Sequence, residues 1–157
     1  VATMALCEAA AYYKTQGKTL WDAMIEMYEQ FGYYKDAIQS VTMKGIEGLQ
    51  KIQEIMNSLR QNPPAEFAGH KVVAVRDYKA DTIKDLATGE VKATGLPNSN
   101  VLYYELPDAA WVCFRPSGTE PKLKFYYGVK ADTMEAADAK AAELGAAVMA
   151  IVEPMLG

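Results

Sequence analysis

The feature that most constrains this fold is a series of four β-rich runs, at residues 71–78, 101–106, 110–114 and 123–129. Short turns between consecutive strands join antiparallel neighbours, because parallel strands need a crossover of a dozen or more residues. Along the last run, alternation predicts one face with Leu123, Phe125, Tyr127 and Val129 and the opposite face with Lys122, Lys124 and Tyr126. A helical stripe with apolar residues three and four positions apart follows at residues 134–151 and is expected to cover the apolar face of the sheet. The sequence therefore predicts an α+β domain of two layers, in which a four-stranded, mainly antiparallel sheet is covered by helices.

Three further helices are predicted before the strands. Residues 1–14 and 20–31 form the first two, and the second has Thr19 as N-cap, with Asp22 three residues on. These two helices cannot form a core alone. Because the chain also begins without a methionine, inside a helical pattern, we expect it to be a piece of a longer protein. The third helix begins near Lys44.

The segments between these elements are less regular. Residues 33–40 carry a loose alternation that continues into Val41, and they read as a linker compatible with a short strand. Residues 79–100 form a long polar segment, which is typical of a functional or flexible loop. The sequence around residues 88–90 is compatible with a short hairpin. The last helix is predicted to begin at Asp132 as N-cap and to end at Glu153-Pro154.

Composition excludes several classes of function. The net charge is −4, so the chain carries no basic footprint for nucleic acid. A single histidine, His70, excludes a multi-histidine metal site. Cys7 and Cys113 are expected to be buried, reduced thiols in a cytoplasmic protein. No apolar run is long enough to span a membrane, and no membrane partner is expected.

The turn between the third and fourth runs has the sequence RPSGTEPK, residues 115–122. The Arg115 guanidinium offers a planar fork of donors that matches a phosphate, and Ser117 and Thr119 add hydroxyl donors. Gly118 frees the backbone to turn N–H groups towards an anion, and Lys122 adds a point charge. The 115–122 loop is therefore predicted to bind a phosphate group. Composition alone is equally compatible with a polar hairpin loop that has no ligand.

No catalytic group accompanies this loop. A serine nucleophile needs a base within hydrogen-bond reach, and no histidine lies near Ser117 in the sequence. Glu120 lies in a turn, where a solvated carboxylate is expected. No acidic cluster has spacing suited to Mg²⁺. The residues indicate a chain that binds and does not catalyse by itself.

The 115–122 loop, with its framing strands and the helix that follows, resembles the phosphate-binding loop in the last domain of the α-D-phosphohexomutases, the phosphoglucomutase/phosphomannomutase family. Residues 12–20, YYKTQGKTL, resemble a stretch at the end of that family's third domain. The resemblance covers nearly the whole chain. It implies that residues 1–35 are the last helices of the third domain, residues 36–43 a linker, and residues 44–157 the fourth domain, with a fold like that of the TATA-binding protein.

This resemblance also implies a function. The family moves a phosphoryl group between the C1 and C6 oxygens of a hexose through a bisphosphate, and its fourth domain holds the phosphate that is not reacting. By carry-over, the phosphate contacts are Arg115, Ser117, Gly118 and Thr119, with Lys122 a weaker candidate. Some other members have asparagine where this chain has Gly118. The glycine removes one side-chain donor but keeps the backbone geometry.

The family's phosphoserine loop, its Asp-x-Asp-x-Asp magnesium loop and its sugar-selecting loop do not occur in these 157 residues. We therefore expect no catalytic residue, no metal site and no mutase activity in this chain alone. Mg²⁺ and the hexose 1,6-bisphosphate belong to the full-length parent. The expected partners are a hexose phosphate and the parent's N-terminal domains. Phosphoglucomutase is favoured over phosphomannomutase on general resemblance only.

Two hypotheses from other classes stay open on the sequence. The first is a non-enzymatic α+β module whose loop grips a phosphorylated ligand or a protein partner. The second is a nucleic-acid module, which the acidic composition disfavours.

Overall fold

A computed structural model describes residues 1–156. Its four helices are α1 (Ala2–Thr15), α2 (Leu20–Phe31), α3 (Gly45–Gln61) and α4 (Met134–Leu156). Its nine strands are β1 (Tyr33–Thr42), β2 (Glu66–Phe67), β3 (His70–Lys71), β4 (Ala74–Asp77), β5 (Thr82–Asp85), β6 (Val91–Lys92), β7 (Leu102–Glu105), β8 (Trp111–Pro116) and β9 (Lys122–Ala131).

Seven of the strands form one antiparallel sheet in the order β1-β9-β8-β7-β4-β5-β6, and β2 and β3 form a separate two-stranded hairpin. The predicted α+β class and the antiparallel sheet are confirmed. The sheet is wider than the four predicted strands, because β1 and the β5–β6 hairpin extend it at its two edges.

One face of the sheet packs against α3 and α4 and forms the core. Side chains alternate along β9, so that Leu123, Phe125 and Tyr127 are buried as predicted. Phe114 of β8 is fully buried and lies edge-to-face against Phe125, with ring centroids 5.4 Å apart. The opposite face is called the open face below.

The segment predicted as a linker is a strand. β1 pairs with β9 along its whole length, from Tyr33 opposite Ala131 to Thr42 opposite Lys122. Its alternation was hard to read from the sequence, because Ile38 points outwards and is 56% exposed, whereas the polar Gln39 points inwards. Pairing with a distant strand, which satisfies backbone donors and acceptors, decides the structure here. The division of the chain into domains stays a prediction.

The long polar segment 79–100 is more ordered than predicted. β5 and β6 form a hairpin, which confirms the turn around residues 88–90. The carboxylate of Asp85 accepts backbone hydrogen bonds from Ala87 and Thr88 at 2.9 and 2.7 Å. Asp81 accepts others from Thr94 and Gly95 at 3.0 and 3.1 Å. The bonds of Asp85 form an Asx-type turn, whereas those of Asp81 join two parts of the segment that lie 13 residues apart.

The helix ends agree with the predictions in α2 but not in α4. Thr19 and Asp22 form a reciprocal capping box at the start of α2. At α4 the N-cap is Thr133, not Asp132: its Oγ1 accepts the Ala136 N–H at 3.1 Å, which places the helix start one residue later. Pro154 does not end α4, which continues to Leu156.

The first two helices bury none of their residues, as expected of helices that lack a core of their own. They contact each other, and α2 also contacts β1. Cys7 is exposed on α1, so the prediction of a buried thiol is wrong there. Within residues 1–156, no helix combines the length and the apolar character needed to cross a bilayer.

Candidate functional site

The 115–122 loop connects β8 and β9 at one end of the sheet. Alternation along β8 buries Val112 and Phe114 and turns Cys113 and Arg115 towards the open face. In the antiparallel register Arg115 lies opposite Lys124 of β9. The Arg115 side chain is exposed, and within residues 1–156 it makes no hydrogen bond or ion pair. Its guanidinium is therefore available to a ligand.

Backbone hydrogen bonds hold the loop in one shape. The Ser117 N–H donates to the Lys122 carbonyl at 2.8 Å and closes the hairpin. The Lys122 N–H donates to the Glu120 carbonyl at 2.8 Å. The Pro121 carbonyl accepts the Met43 N–H at 2.8 Å, which ties the loop to the segment just before α3. The loop is thus supported both by its own strands and by the segment that leads into α3.

The polar groups of this loop that have no hydrogen-bond partner among the described residues are mainly donors. Among the described residues, the N–H groups of Gly118 and Glu120 have no acceptor. The Thr119 N–H reaches the Ser117 Oγ only at 3.5 Å, and both hydroxyl protons of these residues are uncommitted. An exposed loop with free N–H, O–H and guanidinium donors is suited to an anion.

The structure corrects the reason given for Gly118. Its φ is not positive, and a Cβ built at this position would have no heavy atom within 4 Å. The backbone here is therefore one that other residues adopt, so glycine is not required for the turn. A residue with a Cβ therefore fits at this position, in line with the asparagine that the family resemblance implies for other members.

The cations of the loop differ in their availability. Lys122 pairs with Glu120, with Nζ 3.3 Å from Oε2. Lys124 has no such partner within residues 1–156 and shares the open face with Arg115. Lys124 was not among the site residues predicted from the sequence. The signal was present, because residues at 122, 124 and 126 were expected to share one face of the strand.

A groove of about 620 Å³ extends from Arg115 across the open face. Strand residues form its floor, and loop residues before β7 form its wall: Tyr78, Leu96, Pro97, Ser99, Val101, Tyr103, Trp111, Cys113, Arg115 and Tyr126. Burial raises the pKa of the Cys113 thiol to about 11, and the nearby Arg115 guanidinium opposes that rise only in part. Cys113 is therefore a neutral, half-buried part of the floor.

The loop offers no catalytic machinery of its own. The structure brings neither a histidine nor any hydrogen-bonded base to Ser117 within residues 1–156. In the same part of the chain, no group of three or more His, Cys, Asp or Glu side chains is arranged to hold a metal ion. The five residues selected from the sequence do come together in one loop, with Lys124 beside them.

No family model matches the chain. It is 40% identical to the phosphoglucomutase of Staphylococcus aureus (strain bovine RF122 / ET3-1) over 121 residues, which is 77% of this chain and 22% of that protein. The phosphoglucomutase of Staphylococcus haemolyticus is also 40% identical, over 122 residues. The chain thus spans about a fifth of the length of these curated relatives.

Among solved structures, the fold is similar to that of the exocytosis-sensitive phosphoprotein pp63/parafusin, a phosphoglucomutase from Paramecium, in an open form. The TM-score is 0.52 at 19% identity, over 90% of this chain and 25% of that one. At that identity the likeness shows the fold alone.

Proposed function

The chain matches the C-terminal part of the phosphoglucomutases, and from this premise we propose that its 115–122 loop binds the phosphate group of a hexose phosphate. The full-length parent then interconverts hexose 1-phosphate and hexose 6-phosphate through a bisphosphate intermediate. Residues 44–157 act as its fourth domain, after a linker at 36–43 and two helices of the third domain at 1–35. The remaining partners are the parent's N-terminal domains, in the cytoplasm.

One observation carries this proposal: a hydrogen-bonded hairpin loop presents five uncommitted donors beside two cations. The donors are the Arg115 guanidinium, the hydroxyls of Ser117 and Thr119, and the N–H groups of Gly118 and Glu120. A phosphate dianion has several acceptor oxygens, and charge-assisted hydrogen bonds to it are about twice as strong as neutral ones. Lys122 and Lys124 add positive charge at the same end of the sheet.

The loop contributes to phosphoryl transfer by position and charge. Holding the phosphate that does not react fixes the rest of the sugar, and a well-oriented reactant needs less ordering in the transition state. Phosphoryl transfer depends almost entirely on such positioning and on charge stabilisation. In this proposal, Mg²⁺ belongs to the parent's other domains. The chain alone is expected to bind without turnover.

Calorimetric titration of the chain with glucose 6-phosphate at low salt tests the proposal. Arg115→Ala removes the bidentate donor, and a hydrogen bond to a charged group contributes about 1.5–3 kcal/mol. We therefore expect the variant to bind about ten- to a hundredfold more weakly. Arg115→Lys keeps the charge but not the fork, so its affinity is expected to lie between the two.

Lys14→Ala is the matched control, since it removes one exposed cation from α1, outside the domain that carries the loop. It should leave the affinity unchanged. An equal loss in Lys14→Ala and Arg115→Ala would mean that general charge, not this loop, binds the sugar phosphate. Turnover of glucose 1-phosphate by the purified chain would contradict the assignment of catalysis to the other domains.

A further inference from the structure

The open face carries two rows of side chains that lie one strand repeat apart. Arg115 and Lys124 are register partners and form the charged row. Two residues further along the strands, Cys113 lies opposite Tyr126 on one side and Tyr103 on the other, and these three form the aromatic row. Two residues of a strand span about 6.7 Å. The aromatic row therefore lies within reach of a group esterified to a phosphate on the charged row.

The aromatic row continues into a fixed aromatic surface. Trp111 stacks on Tyr103, with ring centroids 5.4 Å apart and planes 13° apart. The Arg76 guanidinium lies 5.6 Å from the Tyr103 centroid and donates to the Glu105 carboxylate at 2.5 Å. Tyr103 is thus held between a cation and an indole. These contacts leave it little freedom to change rotamer when a ligand arrives.

The loop wall of the groove is fixed as well. The hydrogen bonds from Thr94 and Gly95 to Asp81 anchor the chain just before Leu96. On the far side of Pro97, the Ser99 N–H donates to the Tyr78 carbonyl at 3.3 Å. A groove of about 620 Å³ lies within the usual range for small-molecule sites. Its shape is therefore largely formed before any ligand binds.

We propose that the aromatic row is a subsite for the pyranose ring of the sugar whose phosphate the 115–122 loop holds. This inference rests on the proposed function and adds the contact that distinguishes a sugar phosphate from free phosphate. The apolar C–H groups of a pyranose cover aromatic carbon. Its hydroxyls meet the hydroxyls of Tyr103, Tyr126 and Ser99, which combine apolar bodies with polar ends. The phosphate of the ligand provides the charge, and its pyranose ring provides the apolar contact.

The test compares three ligands by titration: inorganic phosphate, glucitol 6-phosphate, which is acyclic, and glucose 6-phosphate. Wild type should bind the cyclic sugar phosphate more tightly than the acyclic one. Tyr126→Leu should lower the affinity for glucose 6-phosphate about fivefold and leave the affinity for inorganic phosphate unchanged. Tyr126→Phe keeps the ring and should retain most of the affinity. Tyr12→Leu, on exposed α1, is the matched control and should change nothing.

Each result separates this inference from the proposed function. If inorganic phosphate does not bind in an Arg115-dependent way, the loop assignment fails and the subsite fails with it. If phosphate binds but Tyr126→Leu changes no ligand's affinity, only the subsite is overturned. Equal losses for all three ligands would show that Tyr126 supports the loop and does not contact a ring. A fourth ligand, adenosine 5′-monophosphate, completes the test: if it binds more tightly than glucose 6-phosphate, the sugar assignment is overturned.

Discussion

Gly128 of β9 is the position at which a single added methyl group should disturb the open face most. A Cβ there would lie 2.4 Å from Nε1 of Trp111, 2.7 Å from its Cε2 and 2.5 Å from Oδ1 of Asp36. The Asp36 carboxylate is the end of an exposed side chain and can move at little cost. The Trp111 indole cannot move without leaving its stack on Tyr103. Gly128→Ala therefore sets the new methyl group against a rigid ring.

The expected loss of stability follows from two opposing effects. Forcing an extra methylene into a packed contact costs about 1–3 kcal/mol. Replacing glycine within a strand returns about 0.5–1 kcal/mol of backbone entropy. The net loss in unfolding free energy is therefore about 0–2.5 kcal/mol, with a midpoint of about 1 kcal/mol. For a chain of this size the midpoint corresponds to a Tm lowered by about 2–4 °C. Thermal unfolding followed by near-ultraviolet circular dichroism measures both the Tm and the environment of Trp111.

Gly118→Ala is the matched control, because a Cβ at that position would have no neighbour within 4 Å. Its Tm should stay close to that of wild type. If Gly128→Ala is as stable as Gly118→Ala and keeps the native near-ultraviolet signal, the indole does not lie against Gly128. The description of the open face would then be wrong, and the aromatic row would lose its support.

Three further predictions concern the loop, a turn and acid stability. Glu120→Gln frees Lys122 and removes a negative charge, so phosphate should bind about two- to fivefold more tightly by titration; unchanged affinity would place the phosphate away from Glu120. Ala68 has φ 48° in the β2–β3 turn, so Ala68→Asn should raise the unfolding free energy by about 0.5–1 kcal/mol in denaturant titrations; a loss would contradict the turn. Hydrogen bonds from Thr94 and Gly95 lower the pKa of Asp81 in the folded state, so its contribution is present above the unfolded pKa of about 4 and is lost as the pH falls through the lowered value. Asp81→Asn should therefore flatten the fall in denaturation midpoint between about pH 5 and pH 2, and an unchanged slope would exclude this carboxylate as a source of acid sensitivity.

The sequence was most informative where local signals agreed with the fold. The capping box of α2 and the alternation of β9 combine propensity, pattern and tertiary burial, and both are confirmed. β1 was predicted only as a short strand within a linker, because its apolar Ile38 faces outwards, while Gln39 faces inwards with its Oε1 buried and without a partner among the described residues. Period-two patterns identify a strand only when apolar residues lie on the buried side. Pairing with β9 over ten residues outweighs that pattern.

The candidate site was predictable in composition but not in geometry. The loop residues stand together in the chain, so their proximity needed no structure. Lys124 joins them only through the register of β8 and β9, and the groove depends on how residues 96–101 fold back beside β7. The groove depends on contacts between segments far apart in sequence, whereas the position of Lys124 follows from alternation within one hairpin. A single sequence gives no distance between such segments, which is why the aromatic row was not anticipated.

The most direct test of the central claim is to follow the backbone amide resonances of the chain while inorganic phosphate is added. The uncommitted N–H groups of Gly118 and Glu120 are predicted to shift and to saturate, and in Arg115→Ala the same shifts are predicted to need about ten- to a hundredfold more phosphate. Saturable shifts at the start of α3 or α4, with none in the 115–122 loop, would contradict the account. So would shifts in the loop that saturate at the same phosphate concentration in Arg115→Ala as in wild type.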